Sequence, residues 1–529
     1  MRFHYTPIAH WPPLAWLVRC RRRDAALEVM HGTGVHVGAD WFCEAVWDAP
    51  FAAGDFDRTD LVFGSGARVR RDTVTFVTSG STVERLHSIE TGEWTFVSNS
   101  FPCLLAATGG SLDPTYAAYF TDFKSISRGL ARYVRTLVTS AGPVRLTYFN
   151  NLAWDGSRLR EVPKPTADVA FPTFQRYRDF LSRTLALLSE NMGAPERTRP
   201  LRWLGTISSG YDSATAATLA RPHGLVEAIS FGRASSGDRD SGEVIADTLG
   251  IRLSILSRES WRAGTLSEVP FVAADAKGED VYFRAAEADL AGRVLLTGFH
   301  GDRIWDRRPH PAAADLARGD QSGLSLSEYR LWAGFLHCPL PFAGVRRAAE
   351  ITAISRSPEM ARWHTGGRYS RPICQRVLEE AGIPRRAFGQ WKKTASVLFF
   401  TNDQLLSPAS QADYRAWLEA HLADWRERGM TPPDPAVTSA GLWYAPSRAA
   451  AQFLERLAHV APRRLWWLRS GAQRLLNFAG RERLFRYLFP WAMEHATRRY
   501  AGAVPAVRLD PPVPALAHAH GHTRTHRSA

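Results

Sequence analysis

Between residues 201 and 297 the chain alternates short apolar runs with segments of helical character. Residues 201–207, 225–231, 251–256 and 294–297 are strand candidates, rich in Leu, Ile, Val and Phe. Residues 214–220, 243–249 and 282–290 lie between them and read as helices. Strands that alternate with helices bury their apolar faces as a parallel sheet with the helices packed on both sides. The expected fold class is therefore α/β. Ligands of such sheets sit outside the carboxyl ends of the strands. That rule singles out the residues just after Ile207, Ile229 and Leu296.

The flanking sequence has a different texture. Residues 1–165 read as strand-rich, with short β-branched or aromatic runs at 73–78, 94–98 and 144–149 between Gly, Ser and Asp turns. Residues 171–193 place Phe174, Tyr177, Phe180, Leu181, Leu185 and Leu188 at the spacing of an amphipathic helix. Past about residue 325 the chain reads as mainly helical, and 505–529 is Pro-rich, then His-rich, and expected to be disordered. With 529 residues a chain of two to four domains is expected. The divisions fall at 1–165, 166–430, a basic helical region at 431–504, and the tail.

Composition excludes several classes. The five cysteines form no CxxC pair, which argues against a cysteine zinc cluster and a secreted disulfide framework. No run of 18 uncharged apolar residues offers a membrane span. Near the N-terminus the basic run follows the short apolar stretch, the reverse of a secretory signal, so a cytoplasmic location is expected. The net charge of +14 raises the question of a nucleic acid partner. However, only five of the 66 basic residues are lysine, and residues 448–499 alone carry eleven arginines against three glutamates. The excess is local, and nucleic acid is not the expected partner. The basic stretch, with LWWL and LFRYLFPW, reads first as a packed helical cap and second as a surface for a membrane, RNA or an acidic peptide.

The segment that carries chemistry runs from Gly205 to Ser213, GTISSGYDS, between a strand and a helix. Short hydroxyl and glycine residues there let backbone N–H groups converge on an anion, and the helix N-terminus adds partial positive charge. Ser208 and Ser213 offer hydroxyl donors to phosphate oxygens. Asp212 repels a bare phosphate, so its presence implies a bridging Mg²⁺ held by carboxylate and phosphate oxygens. A simple Ser/Asp helix cap is the bland alternative.

This segment resembles the PP-loop, SGGxDS, of the ATP pyrophosphatases, with Ser209 where that family has glycine. A second segment, LLTGFHGD, ends at Asp302 and resembles the LLTGxGxDE of the asparagine synthetase family, with Arg303 where the family has glutamate. The strand and loop AISFG at 228–232 and the helix EVIADTLGI are similar to the family's second strand and helix. The resemblance covers about residues 170–400. It implies a PP-loop synthetase domain that binds ATP through Ser208, Ser209, Gly210, Tyr211, Asp212, Ser213, Ser230, Phe231 and Gly298. It implies Mg²⁺ on Asp212 and Asp302. Lys392 and Lys393, in FGQWKKTAS, match a late lysine of the family and take the catalytic part, with Lys392 preferred.

In asparagine synthetases the first domain is a glutaminase whose nucleophile is a cysteine directly after the initiator methionine. Position 2 here is Arg2 and the nearest cysteine is Cys20. The resemblance then implies a degenerate glutaminase-like domain, as in β-lactam synthetases and lasso-peptide cyclases. The function expected is an AMP-forming, amide-forming ligase that adenylates a small-molecule or peptide carboxylate for attack by an amine or ammonia. A homodimer is compatible with this reading. Asp212→Asn is expected to abolish turnover and leave the fold intact. Two alternatives stand beside it: a PP-loop RNA-modifying enzyme and a non-catalytic ATP-binding descendant.

Overall fold

In the computed structural model the described residues are 1–116, 118–166, 168–234, 238–308, 315–365, 369–390, 406–430, 450, 453–454 and 487–502. Lys392 and Lys393, most of the basic stretch and the Pro/His-rich tail lie outside them.

The N-terminal part is built from thirteen described strands. They are β1 (Arg2–Pro7), β2 (Trp16–Arg21), β3 (Ala26–His31), β4 (His36–Val37), β5 (Trp41–Trp47), β6 (Val62–Arg70), β7 (Thr73–Val77), β8 (Arg85–Thr91), β9 (Trp94–Ser98), β10 (Thr136–Thr139), β11 (Gly142–Tyr148), β12 (Asn151–Trp154) and β13 (Leu159–Val162). Seven form one sheet in the order β1-β3-β2-β9-β8-β11-β10, and six form another, β13-β12-β7-β6-β5-β4.

Side-chain alternation explains how these sheets pack. On β2, Trp16, Val18 and Cys20 enter a core shared with Phe42, Phe76 and Trp154 of the second sheet. Leu17, between them, enters the core on the opposite face. Successive strand residues point to opposite faces, so the apolar run Trp16–Val18, buried on both faces, marks a middle layer. Trp16 Nε1 donates to Ser65 Oγ at 3.0 Å, which satisfies the polar atom that the ring brings inside.

The opposite face of the seven-stranded sheet packs on helix Phe101–Thr108, and helix Leu488–Arg498 packs in turn against that helix. On the latter, the Phe489 ring centroid is 5.0 Å from that of Tyr119 and 5.4 Å from that of Phe123. The LFPW run of the basic stretch is thus interior and is not presented to a membrane. Among the described residues no helix is long and apolar enough to cross one.

Residues 202–339 form a five-stranded sheet from β14 (Arg202–Thr206), β15 (Glu227–Ser230), β16 (Arg252–Ile255), β17 (Arg293–Thr297) and β18 (Leu336–Pro339). Its order is β16-β15-β14-β17-β18, and every neighbouring pair is parallel. The molecule is therefore a mixed α/β protein with a β-rich N-terminal region. Two expectations change in detail. Residues 282–290 are mostly a 3₁₀ turn, Val281–Ala286, which becomes α-helical only at Glu287–Leu290. The stretch past residue 325 is not purely helical, because β18 extends the sheet; its four residues are all buried and it pairs with β17 from Leu336 to Pro339.

Helix Phe174–Met192 is capped by the Thr173 side chain, which accepts from Arg176 N. It buries Phe174, Tyr177, Leu181, Leu185 and Leu188 along one stripe, as the periodicity requires. From β14 the chain passes to β15 and β16 on one side, then returns to lay β17 and β18 on the other. The loops after β14 and β17 therefore leave neighbouring strands at the switch point of the sheet, where open parallel sheets bind ligands.

Candidate functional site

The loop after β14 is fixed by its own hydroxyl groups. Ile207 N donates to Ile229 O at 3.0 Å, which carries the pairing one residue past the strand. Ser208 N donates to Ser213 Oγ at 3.2 Å, the two hydroxyls lie 2.9 Å apart, and Gly210 N donates to Ser208 Oγ at 3.2 Å. The chain then enters helix Tyr211–Ala220, whose first turn holds Asp212. Ser208 and Ser213 thus close a small ring at the helix N-terminus.

Ser209 is held from outside the loop. Its N–H and its hydroxyl both donate to Asp240 Oδ1, at 3.1 and 2.6 Å. A carboxylate of the chain itself sits on this N–H. The departure from glycine has a local use here, since only a residue with a hydroxyl supplies the second of these bonds. Ser209 O accepts from Gly389 N at 2.8 Å. Gly389 has φ +59°, and a Cβ there would lie 2.3 Å from the Tyr211 ring; glycine is needed on both counts. The Tyr211 hydroxyl accepts from Arg385 Nη2 at 3.0 Å, and burial raises its pKa.

The second motif lies directly on the first. A Cβ at Gly298 would come within 2.3 Å of Asp212 C and 2.6 Å of Ser213 N. A Cβ at Gly301 would come within 2.7 Å of Asp212 Oδ1. Close approach of backbone to backbone explains both glycines. Asp302 and Arg303 follow, beneath Gly319, where an added Cβ would meet Asp302 Oδ2 at 2.8 Å and Arg303 Nε at 2.7 Å. The loops that bear Asp212 and Asp302 therefore meet at the switch point.

Arg371 completes this centre. Its guanidinium, buried to 4 % exposure, pairs with Asp212, and the Tyr369 ring lies 5.2 Å from it. Burial alone would lower the pKa of Arg371, but the negative charges of Asp212 and Asp302 outweigh it and the pKa is raised. Arg318, also buried, feels the charge of Asp302 as well, and burial lowers its pKa.

The remaining candidates fall as follows. Ser230 is buried at the end of β15, with its carbonyl accepting from Leu256 N at 2.8 Å. Phe231 packs edge-on against Tyr282 and Phe283, at 4.7 and 5.2 Å between centroids. His300 adopts φ +76° and stacks on Phe342 at 4.7 Å. Asp306 is committed to Arg308, which donates to both of its oxygens. The five cysteines are buried and form no disulfide, and burial pushes the Cys43 thiol up to about 12. A cleft of about 370 Å³ opens beside Ser209, lined also by Arg239, Ser241, Glu243, Arg386 and Gln390. Lys392 and Lys393 lie outside the described residues.

Sequence reasoning missed Asp240 and Arg371. Neither stands in a motif; each reaches the loop only through the fold. No protein-family model matches this chain, and no curated protein matches it significantly.

Proposed function

We propose that the chain is an AMP-forming, amide-forming ligase with a PP-loop domain of the asparagine synthetase type. On this reading ATP binds at the β14 and β17 loops, and a substrate carboxylate attacks its α-phosphate. Pyrophosphate leaves, and an amine or ammonia displaces AMP from the acyl-adenylate. The observation that carries the reading is the contact of Gly298 and Gly301 with Asp212. It brings two separated aspartates to the one place where an open parallel sheet binds ligands.

The donor set suits Mg²⁺, a hard cation that takes carboxylate oxygens together with phosphate oxygens. Asp212 and Asp302 are the residues that would hold it, and it would neutralise charge on the leaving pyrophosphate. Among the described residues no group of three or more His, Cys, Asp and Glu forms a metal site, and a clamp completed by phosphates needs none. Ser208, Gly210 and Ser213 orient the phosphates, and Lys392 or Lys393 supplies positive charge as the tetrahedral oxyanion forms. The buried thiols, with raised pKa values, favour an external source of the amine.

The test is ATP–pyrophosphate exchange with Mg²⁺ against a panel of carboxylic acids. Label should enter ATP with at least one acid, and the nucleotide product should be AMP. ADP and phosphate as products would overturn the assignment. The Asp212–Arg371 pair favours one second reading, a nucleotide-binding descendant without turnover, which binds ATP but exchanges no label with any acid.

A further inference from the structure

The loop has an anion site and a carboxylate, and both are already engaged by groups of this chain. Asp240 sits on the Ser209 N–H, and Arg371 sits on Asp212. The two differ in one respect. Asp240 is satisfied by two donors from Ser209. Arg371 has 3 % exposure, and its Nε makes no hydrogen bond to any described residue. A guanidinium carries five N–H donors in a rigid fork suited to phosphate. A buried donor without a partner is costly, and native proteins rarely leave one unless a ligand or water completes it.

Position narrows the ligand. Arg371 meets the first turn of helix Tyr211–Ala220, beside the hydroxyl ring of Ser208 and Ser213. It pairs with Asp212, beside which the proposed reading puts a polyphosphate. We infer that Arg371 is a phosphate-binding residue of this site, and that its pairing with Asp212 is a resting state. When a di- or triphosphate enters, the guanidinium turns from Asp212 to the phosphate oxygens. Asp212 then turns its carboxylate to a divalent cation. The inference rests on the proposed site but not on turnover. It requires only that the loop binds pyrophosphate.

Inorganic pyrophosphate is therefore the probe, titrated by calorimetry into the full chain, once with a chelator and once with Mg²⁺. The wild type should bind in both conditions. Arg371→Met should weaken binding about 10–100-fold in chelator, the worth of a charge-assisted hydrogen bond. In Mg²⁺ the loss should be several-fold smaller, because Asp212 then recruits the cation. Arg371→Lys, which keeps the charge, should retain part of the chelator-stage affinity and controls for a Met variant that fails to fold. Equal losses in both conditions would make Arg371 a structural counter-ion and overturn the inference. So would a wild type that binds pyrophosphate only with Mg²⁺, a result that leaves ligase activity untouched. Binding as described without label exchange for any acid would instead sink the ligase and keep this inference.

Discussion

Asp212 pairs with a buried guanidinium and, on the proposed reading, also holds a divalent cation, so replacing it has two consequences. The chemical one, on the proposed reading, is loss of a charge that would hold Mg²⁺. The structural one follows from Arg371, whose positive charge would be left inside the protein without its partner. Removing one member of a buried pair costs about 3–5 kcal/mol. Asp212 keeps 24 % exposure, which screens part of that charge and puts the cost near the lower figure, about 3 kcal/mol. Asp212→Asn should therefore lower the melting temperature as well as abolish exchange, contrary to the expectation from sequence alone. The double change Asp212→Asn with Arg371→Met should melt higher than the Asn single variant, since it removes the stranded charge together with its partner. A double variant less stable than both singles would mean that the pair carries no such penalty. The two aspartates were legible because each ends a motif after a strand. Arg371 was not, because one arginine among 61 carries no local mark of a long-range contact.

At the level of elements, the β14 and β17 loops are locked by absence of side chains. Gly298 does not have a positive φ. Its constraint is purely the distance of 2.3 Å from a would-be Cβ to Asp212 C. Such an overlap involves backbone on both sides and cannot be relieved by a rotamer change. Overpacking of this kind costs about 1–3 kcal/mol. Gly298→Ala should thus lower stability by that order and, on the proposed reading, strongly weaken ATP binding, because it pushes apart the two loops proposed to receive the nucleotide. Gly193→Ala is the control: φ is −87° and the nearest atom to an added Cβ is 3.5 Å away, so both stability and binding should hold. Equal effects from the two changes would remove the argument for close loop contact. The strand and helix pattern from β14 to β17 was readable because each element is flanked by turn residues and has its own period. β18 was not, since His337 and Pro339 break the apolar run that marks the other strands of this sheet. Its identity comes from pairing with β17, a fact of the assembled sheet.

On the scale of the whole molecule, the β-rich region and the parallel-sheet region share an ion cluster as well as an apolar core. Arg330, on helix Leu326–Ala333, donates to Glu44 of β5 through Nη1 at 2.6 Å and Nη2 at 3.0 Å. Its Nε lies 2.8 Å from Glu84 Oε1, and all three side chains are buried. The cluster bonds one region to the other in low dielectric, where one guanidinium neutralises two carboxylates. Burial pushes Glu84 up to about 7 even so. A carboxyl raised from its ordinary 4.5 to about 7 contributes stability that is complete below about pH 4.5 and is lost as pH rises through about 7. Arg330→Met removes the only cation of this trio and so raises the proton affinity of Glu84 further. The variant should lose about 3–5 kcal/mol at neutral pH. Its deficit against the wild type should shrink at about pH 5 and grow toward about pH 8, since protons replace the missing charge only in acid. Because Arg330 ties both regions, the wild type should unfold in a single calorimetric transition, and the variant should move that transition as a whole. Two transitions, only one of which shifts with the substitution, would show that the β-rich region folds on its own and that the ion cluster is no more than local packing.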